Sequence, residues 1–213
     1  MQKIYFISGL GADKRIFSFL DHSGYEPVFV DWIVPAQNES LPSYALRLRE
    51  QINDPHPTIV GISFGGMLLT EMAKADPGIK GIILASNKTS VEFPSYLRIG
   101  KYLPVYKWTP VSFSKKTMLA NTWILGGIQP EHKKLLQQII RESDMNFSRW
   151  AIGAILRWEN KIVPKNIIHI HGTADKLLPY RLVKADYTIK DGTHVLTMDQ
   201  HEEVSALLKK LIH

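Results

Sequence analysis

Six short runs rich in β-branched and apolar residues recur along the chain, separated by segments of helical period, and this alternation restricts the fold more than any other feature. The runs are Lys3 to Ser8, Pro27 to Asp31, Thr58 to Ile62, Ile79 to Ser86, Asn166 to His171 and Lys184 to Ile189. Between them, segments such as Leu41 to Ile52 and Met67 to Ala75 repeat apolar residues three and four apart, the spacing of one helix face. Strands that are apolar throughout need cover on both faces, and a helical crossover between successive strands makes them parallel. The expected fold class is α/β: a doubly wound, mostly parallel sheet of about six strands. A last helix closes the chain, with Asp199 as its expected N-cap, Glu202 three residues on, and Val204, Leu207, Leu208 and Leu211 along one face.

The alternation fails between Asn87 and Pro164, where helical patterns continue without a convincing strand. Ten of the 21 aromatic residues fall there, among them Trp108, Trp123, Trp150 and Trp158. We expect residues 1–87 and 165–213 to form the core, and residues 88–164 to be a helical lid insert with a return helix. Within the insert, Gly126 to Pro130 marks a break between helices, with Pro130 at a first helical turn. The insert also carries the chain's basicity. It holds 12 Lys and Arg against 5 Asp and Glu, giving +7, so the rest of the chain is at −1 within the total of +6. With no nucleic-acid-binding motif accompanying that charge, a nucleic-acid partner is not expected.

The third run leads into Gly61-Ile62-Ser63-Phe64-Gly65 and then into a helical pattern. A bare Gly-x-Ser-x-Gly recurs by chance in roughly one chain in fifteen of this size, given average Gly and Ser usage, so the setting decides whether Ser63 is a nucleophile. A serine hydroxyl is a weak nucleophile at neutral pH. It needs a base within hydrogen-bond reach, a group that orients the base, and donors for the oxyanion. The turn itself fits, because glycines two before and two after the serine relieve crowding at a sharp strand-to-helix turn. In an open α/β sheet the partners belong on loops at the carboxyl edge of the strands. His194 follows the last strand run and Asp175 follows the fifth. Asp191 and Asp186 are alternative acids, but each would orient the base from its own neighbourhood in sequence, which favours Asp175. His169 and His171 share a strand face as metal ligands do, yet no carboxylate cluster accompanies them in sequence; they read as structural, and no metal or organic cofactor is expected.

These segments together resemble the α/β-hydrolases over nearly the whole length. "GISFGG" is similar to the nucleophile elbow, "HGTADKLLP" to the acid loop, "DGTH" to the histidine loop and "FISGLGADKRIF" to the oxyanion loop after the first strand. The chain order Ser63, Asp175, His194 is the order of that family. The resemblance implies an oxyanion hole made by the backbone N–H groups of Phe64 and Leu10, with Gly11 the neighbouring alternative. It departs from many relatives in having Ser8-Gly9 where they have His-Gly, and Ile62 where they have His before the serine. Family members that act as haloalkane dehalogenases or epoxide hydrolases carry a carboxylate at the place of Ser63, so those activities are not expected. The implied activity is hydrolysis of a small carboxylic ester or thioester through an acyl-enzyme. Alternatives are a lyase using the same triad as a base, and a ligand-binding protein on a hydrolase scaffold.

The insert bears on the substrate. Tyr96, Ile99, Leu103 and Tyr106 follow helical spacing and would either line an acyl pocket or pack the lid on the core. The surplus of Lys and Arg raises an anionic small-molecule acyl substrate as an alternative, with Arg98, Arg149 and Arg157 as the residues to examine. The absence of Cys excludes disulfides, thiolate metal sites and a cysteine nucleophile. The opening residues read better as a strand and turn than as a signal peptide, no apolar run approaches a membrane span, and a cytoplasmic location is expected.

Overall fold

The computed structural model describes residues 1–102, 108, 111–127 and 129–212, and of 111–114 the backbone alone. In chain order the elements are β1 (Gln2–Ile7), β2 (Tyr25–Phe29), α1 (Leu41–Arg49), β3 (Thr58–Ile62), α2 (Phe64–Ala75) and β4 (Lys80–Leu84). Then come α3 (Ser95–Gly100), α4 (Val111–Ala120), α5 (Thr122–Leu125), α6 (Pro130–Glu142) and α7 (Met145–Leu156). The chain closes with β5 (Ile167–Gly172), β6 (Tyr187–Ile189), α8 (Leu196–Asp199) and α9 (His201–Ile212).

The six strands form one sheet in the order β2-β1-β3-β4-β5-β6, every neighbouring pair parallel. Alternation of side chains along each strand divides the core in two. Tyr5, Ile7 and Ile59 face a layer built by Tyr44 of α1, Leu68 of α2 and Ala151 of α7. Ile4, Phe6, Val60 and Ile62 face the other layer, with Phe17, Ile140 of α6 and Leu208 of α9. Both faces are covered, which is why the strands read as continuous apolar runs rather than alternating ones. The segment between β4 and β5 does not stand apart from this core, since α7 packs in the same layer as α1 and α2.

Strand ends differ from the sequence expectation for local reasons. The second strand begins earlier, at Tyr25, and Pro27 is accommodated because β2 is an edge strand with one side free of a ladder. The fourth strand stops at Leu84 because Ala85 turns to a φ of 44°. The sixth strand is only Tyr187–Ile189; Lys184 is instead tied up through its carbonyl, which accepts from Lys88 Nζ at 2.6 Å. Asp199 does not cap the last helix. That helix starts at His201, Val204 N donates to Gln200 O, and the Asp199 side chain turns away to α6 and its neighbours. The apolar face is as expected, with Val204 and Leu208 fully buried and Leu207 and Leu211 packed beside them. Among the described residues no helix is long and apolar enough to cross a membrane.

Candidate active site

The strand order reverses between β1 and β3: the chain leaves β1 toward the β2 edge and leaves β3 toward the β4 edge. Two loops at the carboxyl edge therefore part company there and leave a crevice. The pairing Ile7↔Gly61 puts the loop after β1 level with the turn after β3. Gly9 sits directly against Ser63, with a Cβ at Gly9 meeting Ser63 Cβ at 3.3 Å.

Ser63 holds φ 54° and ψ −118°, outside the ordinary regions for a residue with a side chain. Such a backbone persists only where its surroundings enforce it. Here Ser63 N donates to Leu84 O at 2.9 Å, and Ser86 Oγ donates to Ser63 O at 2.7 Å. The flanking glycines are required by contact: a Cβ on Gly61 would lie 2.6 Å from Gly65 O, and one on Gly65 less than 3.0 Å from the carbonyl oxygens of Ile7 and Ser8. The elbow thus exposes the Ser63 hydroxyl at the mouth of the crevice, at the N-terminus of α2. Phe64 is the first residue of α2, so its N–H has no partner within the helix.

The structure brings the three separated side chains together. His194 Nε2 lies 2.9 Å from Ser63 Oγ, and His194 Nδ1 lies 2.8 Å from Asp175 Oδ2. Asp175 Oδ1 accepts from the amides of Leu177 and Leu178, at 2.9 and 2.8 Å. Burial alone would push the Asp175 carboxyl up, but the adjacent His194, its hydrogen bond and the Leu178 amide outweigh it and hold the group below its usual range. A carboxylate at Nδ1 puts the imidazole proton there and leaves Nε2 as an acceptor facing the serine. Asp186 and Asp191, the other acids considered, are elsewhere: Asp186 accepts from the His169 amide at 2.8 Å, and Asp191 is exposed beyond β6.

His169 and His171 are fully buried and engage each other, Nε2 to Nδ1, at 3.0 Å. His171 Nε2 donates to Leu178 O at 2.8 Å and lies 3.4 Å from Asp175 Oδ2. Burial lowers the pKa of both, that of His169 well below the ordinary histidine range, so both rings are neutral. His171 thus holds the loop that carries Asp175, and His169 holds His171.

A cavity of about 470 Å³ opens over Ser63 and His194. Its wall is almost wholly apolar, with Leu10 and Met67 from the core side and Met118, Leu125, Ile140 and Leu156 from the helices between β4 and β5. Tyr96 belongs to this wall and its hydroxyl donates to Leu177 O. Ile99, on the same helix, is instead exposed, while Leu103 and Tyr106 lie outside the described residues. Among the described residues Arg98, Arg149 and Arg157 do not line the cavity. Leu10 does, and among the described residues no acceptor is paired with its amide.

Some supporting residues had no signal in the sequence. Ser86 reaches a carbonyl 23 positions away, and His132 reaches Asp199 across 67 positions. No short motif records such pairings.

No protein-family model matches the chain, and no curated protein matches it. Solved structures do. A thermophilic esterase from Thermogutta terrifontis aligns over 100% of this chain and 89% of its own, with 14% identity and a TM-score of 0.75. A structure from a study of carboxylesterases of Nitrososphaera gargenis covers 99% and 89%, at 14% identity and a TM-score of 0.76. An epoxide hydrolase from Bacillus megaterium covers 100% and 93%, at 12% identity and a TM-score of 0.75. This chain has the α/β-hydrolase fold. At such identities the likeness extends to the fold and no further, and that fold hosts many chemistries.

Proposed function

We propose that this protein is a serine hydrolase that cleaves carboxylic esters or thioesters of uncharged aliphatic acids through an acyl-enzyme. The observation that carries the reading is the unbroken chain Ser63 Oγ, His194 Nε2, His194 Nδ1 and Asp175 Oδ2, with links of 2.9 and 2.8 Å, opening into an apolar cavity. In this reading His194 takes the Ser63 proton as Oγ attacks the acyl carbonyl. Asp175 keeps the imidazole in the required tautomer and stabilises its protonated form. The amides of Phe64 and Leu10 bind the oxyanion. His194 then passes the proton to the departing alkoxide or thiolate, and activates the water that releases the acid.

The helices α3 to α6 serve as the lid, with α7 returning the chain to the core, and the apolar side chains of this segment favour an aliphatic acyl group over an anionic one. A carboxylate placed in that wall would lose its hydration with no described Lys or Arg to compensate. Among the described residues Arg98, Arg149 and Arg157 stand off the cavity.

The test is an activity screen over acyl p-nitrophenyl esters and acyl thioesters, with Ser63→Ala alongside. Turnover that depends on Ser63, together with stoichiometric labelling by a fluorophosphonate, is the expected result. Turnover unchanged in Ser63→Ala would overturn the assignment.

A further inference from the structure

The Asp199 carboxylate is buried, its side chain 1% exposed, at a point where three segments meet. Oδ2 accepts from Gly127 N at 2.7 Å and from Thr193 Oγ1 at 2.8 Å. Oδ1 accepts from His132 Nδ1 at 3.0 Å; His132 is itself 3% exposed. Gly127 and His132 belong to the turn before α6 and to α6, whereas Thr193 immediately precedes His194. A second tie lies on the other side of the base: Val195 N donates to Leu125 O, at the end of α5, at 3.1 Å. The residues flanking His194 in sequence are thus both linked to the α5–α6 segment, Val195 directly and Thr193 through Asp199.

The same segment builds the cavity wall, through Leu125, Leu136, Ile139 and Ile140. Asp199, Thr193, Gly127 and His132 are not part of that wall. There is no spare room at the junction: a Cβ on Gly126, whose φ is 121°, would collide with Thr193 Oγ1 and lie 2.6 Å from Asp199 Oδ2.

We propose that Asp199 is a positioning residue that couples the α5–α6 wall to the loop carrying His194, so that the seating of an acyl group against α6 is transmitted to the orientation of the imidazole. The idea rests on the serine-hydrolase reading for its catalytic consequence. Substrate binding energy spent on the wall then appears in kcat, because the wall and the base share one buried anchor. Loosening that anchor leaves the cavity's apolar surface in place but lets the imidazole stray from Ser63 Oγ, and a displacement near 1 Å in a catalytic group costs roughly 100-fold in rate.

The experiment uses His132→Leu, which removes the donor on the wall side at similar volume, and His132→Gln, which restores an N–H donor. Far- and near-UV circular dichroism checks folding. Steady-state kinetics on a medium-chain p-nitrophenyl ester is expected to show kcat lowered roughly 10- to 100-fold in His132→Leu with KM changed less than about twofold, and recovery in His132→Gln. A merely structural role would lower the active fraction without recovery by the donor-bearing variant. In protein labelled with nitrogen-15 histidine, the His194 imidazole shifts are expected to move in His132→Leu although the two rings make no contact. If His132→Leu does not fold, Thr193→Val removes the opposite tie and carries the same expectation. A folded His132→Leu with kcat within about twofold of the parent and His194 shifts unchanged overturns the coupling. Should the parent turn over no ester or thioester, the functional reading fails by itself, and the imidazole shifts still decide for or against the anchor.

Discussion

Acidification should unfold this protein partly through His169, and the effect can be isolated by one substitution. His169 is fully buried on β5, with His171 at 3.0 Å, the positive Lys88 nearby, and Asp186 bonded to its amide rather than to its ring. Among the described residues no carboxylate meets its imidazole, whereas the neighbouring His171 has Asp175 at 3.4 Å and His194 beyond it. Burial, followed by the like charge that His171 and Lys88 would present, pushes the His169 pKa well below its ordinary value. The unfolded chain therefore binds a proton here that the folded chain refuses. Stability from this group is complete above the unfolded value of about 6.5, and is lost as pH falls from there toward the folded value. Between about pH 8 and about pH 5.5 a histidine that stays neutral in the folded state forfeits RT ln(1 + 10), about 1.4 kcal/mol.

The perturbation is His169→Leu, which fills the site without a titrating group. It also leaves His171 Nδ1 without its donor, at a cost of about 1–3 kcal/mol that is present at both pH values. The difference between the two pH values is therefore the informative quantity. With a urea m-value of about 3 kcal/mol/M, the parent's unfolding midpoint should fall on acidification by about 0.5 M more than the variant's. Midpoints at the two pH values, followed by tryptophan fluorescence, measure this directly. A variant that loses as much on acidification as the parent would refute the claim that His169 is held neutral.

Other outcomes follow from the site. Ser63→Ala should lower ester turnover by about 10⁴-fold or more while leaving the thermal midpoint within a few degrees, since the hydroxyl is replaced without disturbing the elbow. Asp175→Asn should cost roughly 10³- to 10⁴-fold in kcat, because the amide no longer enforces the tautomer that leaves Nε2 free; retention of most activity would reassign the acid. Across p-nitrophenyl esters, kcat/KM should rise about fourfold per added methylene until the cavity is filled, and a terminal carboxylate on the acyl chain should abolish that gain; a flat series would count against an aliphatic acyl site. Gly65→Ala places a methyl against the backbone carbonyls of Ile7 and Ser8, and should destabilise the fold by at least about 1–3 kcal/mol as measured by urea titration.

Much of the candidate site is legible in the sequence because the relevant signals are local. A β-branched run, a Gly-x-Ser-x-Gly turn and a helical pattern occupy adjacent positions, and in a parallel sheet each strand delivers its following loop to the same edge. Asp175 and His194 could be singled out by being the right residue types just beyond strand runs. Asp199 shows where this reasoning misleads. With Glu202 three residues on and an apolar face beyond, it has the spacing of a capping box, yet its carboxylate is taken by His132, Thr193 and Gly127. The competing partners come from elsewhere in the chain. Ile99 misleads similarly: it shares a helix with Tyr96 but faces solvent, because periodicity gives a face and not what lies opposite.

The order of residues by itself determined a parallel, doubly covered sheet and the edge on which chemistry would gather, since hydrophobic period and chain direction are properties of consecutive positions. Folding in three dimensions decided which carboxylate meets His194, that two neutral histidines support the acid loop, and which side chains enclose the cavity. Those outcomes depend on hydrogen bonds and packing between residues tens of positions apart, whose distances are set by strand register and layer packing.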